Sequence, residues 1–285
     1  MSTPLERLRA RVARLEAPLC VGIDPHPGDL PEGLAPDVGG IEAFALGILD
    51  ATVEEAAAVK INVAFFEAFG SAGWAALERV RRAVPSDVVC ILDAKRGDIG
   101  STAERYAEGL LGLLDADAVT LSPYLGSDAI EPFLAHADRL VYVLARTSNA
   151  SAAGLQELVV HGEPVHLHVA RWVAATWTDG RVGLVVGATA PAELERLRAA
   201  VPGPAFLVPG VGVQGGDLAA AVRTCHGAWA PGLVPVSRAI AGASRGPDWR
   251  AAAGDAARSL RGRMREAVLH SMASAALRPM TEAQG

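Results

Sequence analysis

The chain has 285 residues, 51% of them hydrophobic, enough for one large α/β barrel or two small domains. Its formal charge of −6 is spread over interleaved acids and bases, so it offers no basic stripe for nucleic acid and no charged block of the disordered kind. No run reaches the roughly 18 uncharged apolar residues that would suggest a membrane span.

Thr3-Pro4-Leu5-Glu6 predicts a helix start and not a signal peptide: Thr as N-cap, Pro in the first turn, Glu closing a capping box. Leu5, Leu8, Val12 and Leu15 then share one helical face. Eight apolar runs follow, alternating with helical patterns. The expected strands are Leu19–Pro25, Val59–Phe65, Val88–Lys95, Ala118–Ser122, Leu140–Arg146, Val182–Ala188, Ala205–Val211 and Leu233–Arg238. The expected helices span 41–57, 71–84, 101–115, 127–137, 165–178, 191–200, 215–225 and 247–269. Strand then helix, eight times over, predicts a (β/α)8 TIM barrel. It is one α/β domain over residues 1–285, with its core at 17–269, an N-terminal helix and a C-terminal helical extension. A doubly wound sheet is the alternative on spacing alone. The irregular segments 25–40 and 147–164 both follow strands, which assigns them to the C-terminal face, where barrel enzymes keep their sites. Past Leu269 the last helix is expected to continue, with fraying at Arg278–Gly285.

Cys20, Cys90 and Cys225 are scattered, and two of them lie in apolar runs. They fit small core residues in a reducing compartment, so a cytoplasmic protein is expected. His161, His166 and His168 invite a metal reading, but apart from Glu163 no ligand set completes it, and solvated histidines are ordinary in a loop and at a helix start. No metal is expected.

The chemistry gathers where strands end. In the third strand, Val88–Leu92 leads into Asp93-Ala94-Lys95-Arg96-Gly97-Asp98. Strand alternation gives Asp93 and Lys95 one face, about 7 Å apart along the chain. Asp98 follows the Gly97 turn. Lys60 lies inside an apolar strand and needs a carboxylate; Asp93 on the neighbouring strand is the nearest candidate. Lys60, Asp93, Lys95 and Asp98 thus form a row of alternating charge. Flanking carboxylates keep Lys95 an ammonium acid, not an imine-forming amine. The first strand ends on Asp24, and the fifth on Arg146-Thr147-Ser148-Asn149, a polar cluster suited to a ring edge or to an ordinary helix cap. The seventh ends on Pro209-Gly210-Val211-Gly212-Val213-Gln214-Gly215-Gly216 and the eighth on Ser237-Arg238. Glycines after the seventh strand and an arginine after the eighth match the phosphate position of such barrels. The embedded G-x-G-x-x-G lacks the acid about 20 residues on that a dinucleotide site requires.

Taken together, Asp93-Ala94-Lys95-Arg96-Gly97-Asp98-Ile99, Thr102, Lys60, Gln214 and Arg238 resemble orotidine 5′-phosphate decarboxylases, and Val59–Asn62 with Phe65-Phe66-Glu67 resembles their longer bacterial subgroup. The resemblance runs from Gly22 to Ile240. It implies decarboxylation of orotidine 5′-phosphate to UMP without a cofactor, in a homodimer whose sites are shared. Asp24 and Lys60 would hold the ribose. Lys60, Asp93 and Lys95 would form the catalytic row with Asp98 of the other subunit. Thr102, also from the other subunit, would touch the ribose, and Ile99 would be a further substrate-binding residue. Ser148 or Thr147 would read the pyrimidine. Pro209, Gln214, Ser237 and Arg238 would line the base and phosphate end. Ser237 departs from the glycine that usually precedes the phosphate arginine in short members. Two rivals share parts of this pattern: a magnesium-dependent sugar-phosphate decarboxylase or aldolase of the same superfamily, and a non-catalytic nucleotide-binding barrel. The first resembles enzymes with an acid on strand two, where this chain has Lys60.

Overall fold

The capping box forms as expected. Thr3 Oγ1 accepts the Glu6 N–H at 3.2 Å, and Glu6 Oε2 accepts the Thr3 N–H at 2.8 Å. This starts α1 (Pro4–Leu15). The structure, a computed structural model, describes residues 2–212 and 214–276. The fraying expected at Arg278–Gly285 and the position of Val213 lie outside these residues.

Eight parallel strands follow: β1 (Leu19–Ile23), β2 (Ala58–Asn62), β3 (Val89–Arg96), β4 (Ala118–Leu121), β5 (Leu140–Arg146), β6 (Val182–Val186), β7 (Phe206–Leu207) and β8 (Val234–Val236). They pair in the order β8-β1-β2-β3-β4-β5-β6-β7. Bonds from Leu233 N to Phe206 O at 2.9 Å and from Val208 N to Leu233 O at 2.8 Å join the two ends. The sheet therefore closes as a TIM barrel, which removes the doubly wound alternative. Around it run α2 (Val38–Thr52), α3 (Gly70–Ala83), α4 (Gly100–Ala107), α5 (Glu131–Leu134), α6 (Val165–Thr176), α7 (Pro191–Ala200), α8 (Leu218–Cys225) and α9 (Trp249–Ala276).

Two apolar layers hold this together. The larger lies between strands and helices. The smaller fills the barrel with Cys20, Ala58, Ile91, Tyr142, Val185 and Leu207. Leu8 and Leu15 of α1 join it and plug the N-terminal mouth. All three cysteines are buried, and burial pushes each thiol pKa up to about 12, so they are inert core groups.

Several boundaries differ from expectation, each for a local reason. The second strand stops at Asn62 and not Phe65, because the Asn62 side chain accepts the Ala64 N–H at 3.3 Å and the chain turns into Ala64–Glu67. The seventh keeps Phe206–Leu207 alone as strand; Pro209 has no N–H to donate, and Gly210 turns away at φ 102°. The helix expected at 127–137 breaks into Ser127–Ala129 and α5 around Pro132. The one expected at 41–57 starts earlier, at a cap where Asp37 accepts the Gly40 N–H at 2.9 Å. Past α4 the helix widens into a π-helical turn, Glu108–Leu113. The last helix continues to Ala276, past Leu269 as expected.

Candidate active site

The C-terminal ends of the strands surround a cleft with two lobes. One is lined by Asp24, Asn62, Gly210, Gln214, Ser237 and Arg238. The other is more apolar, with Leu144, Val185, Leu207, Lys95, Thr120 and Asn149. Lys60, Asp93, Ser148, Pro209 and Pro235 line both and form the seam. A ligand filling the cleft would present an anion to one lobe and an apolar ring to the other.

The seam is a charged row. Lys60 Nζ donates to Asp93 Oδ2 at 2.7 Å, and Lys95 Nζ donates to Asp93 Oδ1 at 2.6 Å. Asp24 Oδ1 lies 3.9 Å from Lys60 Nζ and is buried with no hydrogen-bond partner among the described residues. Parallel pairing sets this up: Asn62 opposes Asp93, which puts Lys60 two residues back on the adjoining strand. Burial alone would lower the Lys60 pKa. The charges of Asp93 and Asp24, with the Asp93 hydrogen bond, outweigh it and hold Lys60 protonated well above the ordinary ammonium range. Burial alone would likewise raise Asp93. Lys60 and Lys95 overcome this and keep its carboxylate ionised far below the ordinary range.

Lys95 reaches Asp93 by a different route from simple strand alternation. Its φ is 45°, in the left-handed region, and the β3–β4 register shifts between Leu92 and Arg96. A bulge turns the ammonium back toward Asp93. The Lys95 N–H is then held by Thr120 Oγ1 at 3.0 Å, and Thr120 in turn donates to Asp93 Oδ1 at 2.9 Å. Thr120 was not among the residues expected from sequence. In sequence Thr120 is a lone hydroxyl in the apolar strand Ala118–Leu121, as Lys60 is a lone cation in its own strand.

The fifth strand's loop is clamped by the segment after it. Arg146 donates to Glu157 at 2.7 Å, and Gln156 Oε1 accepts the Thr147 N–H at 2.8 Å. The Thr147 hydroxyl is committed to Asn149 at 2.6 Å and to Gln156. Ser148 packs against β6, where a Cβ on Gly187 would stand 2.9 Å from Ser148 N. The glycine loop after β7 is left-handed at Gly210 and Gly212 (φ 102° and 92°), which only glycine adopts without strain. Gly216 N bonds back to Gly210 O at 3.0 Å, which brings the ends of the loop together, and Gly210 and Gln214 line the cleft with Arg238.

Of the expected site residues, Asp24, Lys60, Asp93, Lys95, Ser148, Pro209, Gln214, Ser237 and Arg238 line this cleft. Asp98, Ile99 and Thr102 line neither lobe. Asp98 accepts the Ile99 N–H at 2.8 Å, and Ile99 is 51% exposed. A single chain therefore gathers three members of the four-charge row and leaves the fourth outside its own cleft. His166 also differs from expectation: it is buried, its Nδ1 2.8 Å from Gln156 O and its Nε2 3.3 Å from Glu193, and it joins α6 to its neighbours. Among the described residues no cluster of three or more His, Cys, Asp or Glu is arranged to hold a metal ion.

Known proteins are similar to this chain in sequence and in fold. A sequence model described as "Orotidine 5'-phosphate decarboxylase / HUMPS family" matches residues 17–253. The orotidine 5′-phosphate decarboxylase of Roseiflexus castenholzii is 52% identical over 259 residues, covering 90% of this chain and 95% of that one. That of Thermomicrobium roseum is 45% identical over 263 residues, covering 90% of this chain and 92% of its own. The solved OMP decarboxylase of Leishmania donovani superposes with a TM-score of 0.80 at 40% identity, covering 93% of this chain and 100% of that one. Sequence, barrel and charged cleft agree: the chain belongs to the orotidine 5′-phosphate decarboxylase family.

Proposed function

We propose that this enzyme, a carboxy-lyase that decarboxylates orotidine 5′-phosphate in pyrimidine nucleotide biosynthesis, works without a cofactor and uses Lys95 as its proton donor. The observation that carries the proposal is the pair of short bonds, 2.7 and 2.6 Å, that place Asp93 between two ammonium groups. The substrate carboxylate would lie against Asp93 and beside Lys95. As the ring–carboxylate bond breaks, its electron pair stays on the ring carbon and CO2 leaves. The Lys95 ammonium stabilises that carbanion as it develops and then transfers a proton to it. The Lys95 side chain is 50% exposed, so water can return the proton before the next turnover.

The other residues divide by lobe. Asp24, whose buried oxygen has no hydrogen-bond partner among the described residues, and Lys60 would bind the ribose hydroxyls. The glycine cup, Ser237 and Arg238 would grip the phosphate, and Gln214 would close over it. Ser148 would read the pyrimidine edge beside Pro209, since Thr147 has already spent its hydroxyl.

Asp98, Ile99 and Thr102 would act in the cleft of a second copy, in a homodimer. The surface around them supports this: Ile99, Tyr106, Tyr124 and Leu125 are all at least 39% exposed. A cytoplasmic setting fits the three reduced cysteines. No described helix is long and apolar enough to cross a membrane. The magnesium-dependent branch is the weaker reading, because the buried Lys60 cation occupies the strand-two position where that branch resembles enzymes with a metal-binding acid. Purified protein should turn over orotidine 5′-phosphate in excess chelator. Activity that vanished there and returned with magnesium would overturn the cofactor-free reading.

A further inference from the structure

β4 carries one hydroxyl in an otherwise apolar run, Ala118–Leu121, and Thr120 is 1% exposed. A buried threonine in a strand ordinarily satisfies itself on nearby backbone. Thr120 instead joins two members of the charged row. On the β3 side, four steps from Leu92 to Arg96 are matched by two on β4, from Val119 to Leu121. The bulged residues lose their ladder partners, and the Lys95 N–H needs another acceptor. Thr120 Oγ1 supplies it at 3.0 Å. The hydroxyl proton then points to Asp93 Oδ1, 2.9 Å away, the same oxygen that receives the Lys95 ammonium at 2.6 Å. One oxygen atom thereby fixes both the left-handed backbone of Lys95 and the plane of the Asp93 carboxylate. A non-glycine residue is costly in that backbone state, so it persists only where its surroundings hold it.

We infer that Thr120 is a positioning residue for the decarboxylation: its hydroxyl holds the bulge that aims Lys95 and the carboxylate that Lys95 leans on. The inference rests on Lys95 being the proton donor. Thr120 makes no claim on the phosphate lobe, which it does not line. It does line the apolar lobe, so a replacement that keeps its shape should be felt in the chemical step more than in substrate capture.

The test compares three variants in the full-length enzyme. Thr120→Val keeps the shape and removes the hydroxyl. Its kcat should fall about tenfold or more, the loss expected for a hydrogen bond to a charged group, while KM and UMP affinity stay within about twofold. Thr120→Ser returns the hydroxyl and should recover most of kcat. If Thr120→Val does not fold, Thr120→Ala gives the same comparison without a possible clash. Undiminished kcat without the hydroxyl would overturn the inference. So would a serine variant as impaired as the valine or alanine one, because the side chain would then be filling space. Lys95→Ala separates this from the reading beneath it. An active Lys95→Ala enzyme removes the proton donor itself, whereas an inactive one with an unimpaired Thr120→Val removes only the role of Thr120.

Discussion

The two mouths of the barrel use buried charge for opposite ends. At the N-terminal mouth, Asp117 is 3% exposed and both of its oxygens are committed. Oδ1 pairs with Arg7 of α1 and faces Arg139 at 3.7 Å, and Oδ2 accepts the Cys90 N–H at 2.9 Å. Arg11, also buried, donates to Ala56 O at 2.6 Å and to Val53 O, and pairs with Asp87. These groups tie the helical plug to β2, β3 and β4. At the C-terminal mouth, Asp24 keeps a buried oxygen without a hydrogen-bond partner among the described residues, and Lys95 holds a left-handed backbone. The lower network is bonded into the main chain and ties α1 to it. The upper one is a chain of side chains around an open cleft. A buried ion pair is thus weak evidence of function in itself; what marks the working end is a run of side-chain-to-side-chain bonds, Lys60 to Asp93 to Lys95, lining the cleft at the C-terminal ends of the strands.

That contrast can be broken by one substitution at each end. Lys95→Ala should lower kcat by about 10³-fold or more, the combined scale of a lost general acid and a lost stabilising charge. Its thermal midpoint should stay within a few degrees of wild type, because Lys95 is half exposed. Asp117→Asn should do the reverse, costing about 3 kcal/mol of stability through unpaired arginines while the folded fraction keeps its kcat. Thermal melts and initial rates on both proteins decide it. Equal damage to rate and stability at both ends would erase the distinction. The pH profile sharpens it. Asp93 is depressed, so its stabilisation is complete above its unfolded pKa of about 3.9 and is lost only as pH falls through the lower folded value. Lys60 is raised, so its share is complete below about 10.4 and is lost only as pH rises through the higher folded value. Neither group should contribute a titration to the stability curve between those limits.

A smaller effect separates the two lobes of the cleft. Arg238→Ala should cost about ten- to a hundredfold in kcat/KM for orotidine 5′-phosphate, the range of one charge-assisted contact. The bare nucleoside should lose little. Equal loss for both would show Arg238 to be part of the scaffold and not of an anion site.

The lower mouth and the upper one also differed in how far sequence could reach them. Strand order, the capping box and the pairing of Lys60 with Asp93 follow from local rules: period, cap chemistry and the cost of an unpaired buried cation. The bulge at Lys95 does not, because it depends on the register between β3 and β4, and so Thr120 was missed. Plain alternation still brought Lys95 to the right side, by a route the backbone does not take. Asp117 escaped notice for a related reason: its partners, Arg7 and Arg139, come from α1 and from the approach to β5. Pro132 and Pro209 shorten an expected helix and an expected strand, because neither has an N–H to give the helix or the sheet.

The smallest expected signal comes from the residue that the upper mouth leaves out. Asp98 lines neither lobe of its own chain, while the exposed apolar surface beside it is suited to a second copy. If Asp98 serves the neighbouring cleft, Lys95→Ala and Asp98→Ala proteins should each be nearly inactive, since the two charges act as a unit. Mixed and allowed to exchange subunits, they form heterodimers. In each, the Lys95→Ala cleft also receives the altered Asp98 position and stays dead. The other cleft combines its own intact Lys95 with the intact Asp98 of its partner. Half of wild-type activity should return per heterodimer. Random exchange makes about half of the dimers mixed, so the mixture should approach roughly a quarter of wild-type activity, given independent sites. Rates measured against time of mixing, with exchange followed by native mass spectrometry on tagged chains, read this out. Complete exchange of folded subunits without recovery would return Asp98 to its own barrel and make the cleft of a single chain self-sufficient.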